Sequence, residues 1–301
     1  MAQRVWFLTA LLALAACGKG KSGWVLNEDA RASVTDSGAD ASEAGTDGVS
    51  DSSGEAGEAG QTGQVVAGGA DGGAGSPGVL GDRCPTRFAS VCSPTVVVNN
   101  LDTTASGKLF TDSMADPAAT LGCITRDTCD ILYRKVSEIR ITTKITITIE
   151  DFAGVSEAYA SNGESVIHIS SRYLQQVSDA HADVGREIRG IFYYHATNIY
   201  QFDGGNGTAN SWLVSGVAND VRHVAGYMTD DQRKAGGAYN DGGQTSGFFF
   251  VWLDQNYAQF VYELNMSLDP SSGGTTWTTK AFQDITGQSV DMLWASYQAT
   301  L

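Results

Sequence analysis

The sequence predicts an α+β domain over residues 83–301, a small β-sheet followed by packed helices. Segments with strand periodicity fall before residue 171, and amphipathic helical stripes fill the chain after Asp179. A Gly/Ala/Ser/Asp-rich run ends near Asp82, which sets the lower boundary of the domain. Strands first and helices later is the order of an α+β fold with helices packed on a sheet.

The elements follow in order. Thr95–Asn99 carries three consecutive valines and reads as a strand. Asp127–Ile139 has helical spacing, and Ile139–Ile149 alternates isoleucine with polar residues, the period of a strand with one dry face. Glu164–Ser170 is a further strand. Helices are predicted at Asp183–Phe202, Asn210–Ala225, Gln244–Tyr257, Phe260–Leu268 and Ser289–Tyr297. The Phe248–Leu253 run in the third of these is apolar enough to require burial.

The whole chain has 301 residues and a net charge of −15, which argues against a nucleic-acid binder that must neutralise phosphates. Eleven of its 34 carboxylates fall in residues 28–82, against one arginine. That stretch has too little apolar surface to offset the entropy of ordering, so residues 17–82 are expected to form a solvated tether. Before it, Arg4 precedes a short apolar stretch ending in small residues, the pattern of an export signal over residues 1–16. Leu14-Ala15-Ala16-Cys17 resembles the lipobox of bacterial lipoproteins. The resemblance implies acylation at Cys17, a membrane as partner through that anchor, and a place in the bacterial cell envelope. Gly18 after the cysteine, where aspartate is associated with inner-membrane retention, points to the outer membrane.

The other four cysteines are Cys84, Cys92, Cys123 and Cys129. An even number in an exported chain without a Cys-x-x-Cys pair favours disulfides over metal ligands. Three pairings are open, and the short loops of Cys84–Cys92 with Cys123–Cys129 make that scheme the preferred one.

Gly190–Gln201, Trp212–Tyr227, Tyr239–Phe250, Phe260–Asn265 and Phe282–Asp291 together resemble the basic secretory protein family of plants, fungi and bacteria. The resemblance implies a zincin-like metallopeptidase fold. Members carry Tyr-His-Glu-x-Thr-His-x-x-Gln on the first of these helices. Two histidines four apart hold zinc there, and the glutamate activates the metal-bound water. With Tyr193, Thr197, Tyr200 and Gln201 on their counterparts, the two histidine positions hold Tyr194 and Asn198, and the glutamate position holds His195. The acidic positions of the next helix hold Ser215 and Asn219.

These replacements predict a catalytically inactive domain that needs no cofactor and serves as a binding module for an extracellular or periplasmic peptide or glycan. Tyr194, Asn198, Ser215 and Asn219 are expected to fill the metal space with a shared hydrogen-bond network. One alternative is a hydrolase with relocated chemistry, a zinc site of His195, Asp220 and His223. The other is a purely structural envelope domain.

Overall fold

The computed structural model describes residues 22–26, 83–161, 163–204, 210–272 and 277–301. The signal segment, Cys17 and most of the expected tether lie outside the described residues. Five strands form one mixed sheet: β1 (Ser22–Leu26), β2 (Thr95–Asn100), β3 (Lys144–Glu150), β4 (Ser156–Ser161) and β5 (Glu164–Ser170), in the order β1-β4-β5-β3-β2. β2, β3 and β5 run parallel; β4 is antiparallel to both β5 and β1. The alternation expected in β3 is observed, with Ile145, Ile147 and Ile149 fully buried toward the helices.

Nine helices follow or interleave among the described residues: α1 (Ala105–Ser113), α2 (Pro117–Leu132), α3 (Ser171–Asp179), α4 (Val184–Tyr200), α5 (Ser211–Val224), α6 (Gly243–Asn256), α7 (Phe260–Ser267), α8 (Lys280–Thr286) and α9 (Val290–Gln298). The small sheet with its packed helices is the α+β architecture that the sequence predicts. α4 is the central rod, and all ten of its residues from Ile191 to Tyr200 are buried. Asp183 caps its start by accepting a hydrogen bond from the Arg186 amide at 3.0 Å.

Four expectations are corrected. The helix expected at Asp127–Ile139 begins at Pro117, where Asp116 accepts from the Ala119 amide at 2.9 Å, and ends at Leu132. It stops because Tyr133 turns extended and Glu138 takes the Arg134 and Lys135 amides at 2.9 and 3.0 Å. The strand expected from Ile139 starts at Lys144, since Arg140 leaves the sheet to donate to the Gln201 carbonyl at 2.6 Å and Ile141 is exposed.

Within residues 17–82, Ser22–Leu26 is a strand of the sheet rather than tether. Trp24-Val25-Leu26 is an apolar, β-prone run in an otherwise polar stretch, and β4 offers it an edge.

The disulfides are Cys84–Cys123 and Cys92–Cys129, not the short-range pairs. Cys123 and Cys129 share α2, where six residues of rise separate them by about 9 Å, beyond the roughly 7 Å that a disulfide spans. Each therefore reaches across to the turn at residues 84–92.

Candidate functional site

The positions that hold metal in the resembling family lie on α4 and α5, and the fold brings these two helices side by side. Tyr194 and Asn198, four residues apart, lie on one face of α4, 3% and 1% exposed. Asn198 Oδ1 accepts from Gln201 Nε2 at 2.9 Å, and Gln201 Nε2 also donates to the Val214 carbonyl of α5 at 2.9 Å. The α4 side of the old site is thus tied to the α5 backbone through an amide bridge. Burial pushes the Tyr194 phenol up to about 12, although nearby Asn198 and Arg222 favour its ionised form. A phenol that keeps its proton at neutral pH is a poor metal ligand, and so is an amide.

His195 turns to the sheet. It is fully buried, and its Nε2 lies 2.8 Å from the Ser156 hydroxyl of β4. Burial first, and the Arg222 charge second, hold its pKa down to about 3, so it is a neutral imidazole at any physiological pH.

Ser215 and Asn219 face away, toward α6. Ser215 Oγ donates to the Trp212 carbonyl at 3.2 Å and accepts from the Gly243 amide at 3.1 Å; Asn219 Nδ2 donates to the Gly243 carbonyl at 3.0 Å. The shared network expected among Tyr194, Asn198, Ser215 and Asn219 is therefore split in two. Gln201, which Asn198 holds, bridges α4 to α5, while Ser215 and Asn219 stitch α5 to the start of α6. The reason is packing: a Cβ on Gly247 would stand 2.5 Å from Asn219 Cβ, so α6 approaches α5 on the Asn219 face.

The relocated zinc site is not assembled either. His195 is bonded to Ser156, His223 Nε2 lies 2.8 Å from Asp230 Oδ1, and both Asp220 oxygens are buried without a partner. Burial, helped by the Asp254 charge, raises the Asp220 pKa well above the ordinary range and so favours its neutral form. Among the described residues no three His, Cys, Asp or Glu side chains are grouped to hold a metal ion. The residues present do not fit zinc.

Residue types alone do not single out the charge that does occupy this region. Arg222 of α5, 7% exposed, lies over Gly190 of α4, where a Cβ would come within 3.0 Å of its Nε. Its Nη2 is 3.4 Å from Glu187 Oε1, and Glu187 also accepts from the Tyr173 hydroxyl at 2.9 Å. A buried guanidinium with its counter-ion thus bears on Tyr194 and His195. The available signal is Gly190 in a helix interior, a position that admits a neighbour's side chain. Ser156, on the unforeseen strand β4, had no signal of its own. Tyr193, on the opposite face of α4, donates to the buried Asp127 Oδ2 of α2 at 2.8 Å and fixes the helix from behind.

The family model described as peptidase of plants and bacteria matches residues 93–297. No curated protein and no solved structure matches the chain. The match spans β2 to α9 and includes every α4 and α5 position discussed above. The chain belongs to this zincin-like family of peptidases, the basic secretory proteins, and carries the family's fold without a metal-binding cluster among its described residues.

Proposed function

We propose that this chain is a catalytically silent member of its family, displayed from the bacterial cell envelope by a lipid on Cys17, with the former active site converted into core. The observation that carries the reading is the state of α4. The two histidine positions and the glutamate position hold Tyr194, Asn198 and His195, each at most 3% exposed, and Asn198 and His195 are bonded within the protein. A reacting carbonyl cannot reach groups so placed without unpacking α4. Anchoring and the outer-membrane address rest on the sequence around Cys17 and Gly18. Binding of a peptide or glycan by the outer surface is the role left to such a domain.

The test is metal content and proteolysis of the full chain purified from membranes, equilibrated with zinc and then freed of loosely held ions. The expected result is no stoichiometric zinc and no cleavage of an unfolded protein substrate. Near-stoichiometric zinc that is lost in His195→Ala would overturn the silent reading. Retention of a Cys17→Ser variant in the membrane fraction would overturn the anchor.

A further inference from the structure

A cavity of about 350 Å³ opens beside the start of α6, and none of the replaced site positions lines it. Gln232 and Lys234 come to it from the segment after α5, and Asp241, Gln244 and Thr245 from the turn into α6. The rings of Phe248 and Tyr297, 2% and 1% exposed, close it from beneath. Its walls are held in place. Arg233 donates to Asp230 at 2.8 Å and lies over the Phe248 ring, 5.7 Å from its centroid. Asp241 Oδ2 accepts from the Ala238 amide at 2.8 Å, and the Gly236 amide donates to Gln298 Oε1 of α9 at 2.7 Å. Gly237, at φ +76°, leaves room for the Asp241 carboxylate, which a Cβ would meet at 2.7 Å.

The side chains around this space lack partners. Among the described residues, Gln232, Lys234, Gln244 and Thr245 make no side-chain hydrogen bond or ion pair, and the Tyr297 hydroxyl makes no hydrogen bond. The Tyr297 ring packs on Phe249, Trp252 and Trp294, and its hydroxyl end feels the charges of Arg233 and Asp230, the wall beside Gln232. Burial, against the Arg233 charge, holds this phenol above its usual range, so it remains a donor. The buried nitrogens Arg233 Nε and Gln298 Nε2, next in sequence to Lys234 and Tyr297, have no partner either. Unpaired polar groups cost free energy that a ligand able to pair them recovers.

The donor set selects the ligand. Lys234 only donates, the Asp241 carboxylate only accepts, and the two amides and two hydroxyls do both. An inorganic anion only accepts, and it meets the Asp241 charge. An extended peptide pairs with a strand edge, and no described strand lines the cavity. A sugar ring, whose hydroxyls each donate and accept, answers every group, and the volume is within the roughly 300–1,000 Å³ of small-ligand sites. We propose that this cavity is a saccharide-binding site, with Lys234, Asp241 and Gln244 as its principal contacts. It rests on the binding role proposed above, which it narrows to a glycan, and it uses none of the α4 positions.

The full chain is applied to an array of neutral, amino and uronic-acid oligosaccharides, and the best-retained sugar is titrated free in solution by calorimetry. Lys234→Ala with Gln244→Ala, and separately Asp241→Asn, are compared with Lys108→Ala on α1 as control. Lys234 and Asp241 are exposed and Gln244 is half-buried, and thermal unfolding confirms that each variant folds. The expected result is saccharide binding weakened about tenfold or more in both cavity variants and unchanged in the control. Saccharide binding that neither cavity variant weakens overturns the site and leaves the glycan-binding role standing. Inorganic phosphate or an acetylated tripeptide bound in place of any sugar, and lost in the same variants, overturns the saccharide assignment. Binding of none of these probes overturns the site together with the binding role.

Discussion

Asp220 and His195 are both buried in their uncharged forms, and their effects on stability have opposite sign. In the unfolded chain Asp220 ionises near 3.8 and His195 gives up its proton near 6.5. Between these values the native state holds the Asp220 proton and the unfolded state holds the His195 proton, so the pair contributes no net slope. Over the range in which native Asp220 still holds the proton that the unfolded chain has lost, its contribution falls as pH rises toward its raised value, by about 1.4 kcal/mol per unit for one proton, and His195 offsets this only below 6.5. Asp220→Asn is expected to flatten this alkaline limb, measured as a smaller loss of Tm from pH 6.5 to 9. His195→Gln removes the opposing group. Its stability relative to the parent is expected to rise as pH falls from 6.5 to 4, and chemical denaturation of both proteins across that window checks the sign. The same two residues mark a limit of sequence reading. His195 and Asp220 stand out as chemistry-bearing types, but their burial comes from the packing of β4 and α6, which residue types do not report.

At the scale of elements, the α5–α6 contact decides where the replaced site positions point. Gly247 lets α6 settle against Asn219, and Gly216 does the same for the Phe250 ring, which a Cβ would meet at 2.6 Å. Gly247→Ala has no room to accommodate its methyl group and is expected to cost about 1–3 kcal/mol, measured by urea unfolding. The boundaries of α4, α5, α6, α7 and α9 fall within two residues of those expected, because long stripes and their caps are strong local signals. β4 has a local signal in the Asn-Gly pair at 162–163, a sequence that favours hairpin turns, and Gly163 sits at φ +77°. α1 and α8 each have a single large side chain in the buried core, Phe110 and Phe282, too few to set a period, and α3 follows β5 with no intervening residue to mark its start. The start of α2 carries a local signal in Asp116-Pro117, a capping aspartate followed by proline at the first helical position.

For the whole molecule, the family resemblance located the replaced positions, and the fold confirms that Tyr194 and Asn198 lie on one face of α4. What the resemblance did not convey is that Ser215 and Asn219 serve a different interface. The disulfides were also beyond it, since pairing depends on where the 84–92 turn lies against α2. Cys84 is exposed, whereas Cys92 and Cys129 are fully buried, so mild reduction of native protein is expected to release Cys84 and Cys123 first. Thiol trapping followed by peptide mapping checks the order. Replacing Cys92 and Cys129 by serine is expected to cost about 2–5 kcal/mol in thermal or urea unfolding. These crosslinks also define a load path. Tension that arrives along the chain from the amino-terminal side first meets β1 on the β4 edge, and beyond that strand it reaches Cys84 and passes through its covalent bond to Cys123 on α2. The intervening backbone with β2 and α1 is bypassed, so pulling on the leading segment strains α2 and its buried contacts before it can peel a strand from the parallel half of the sheet.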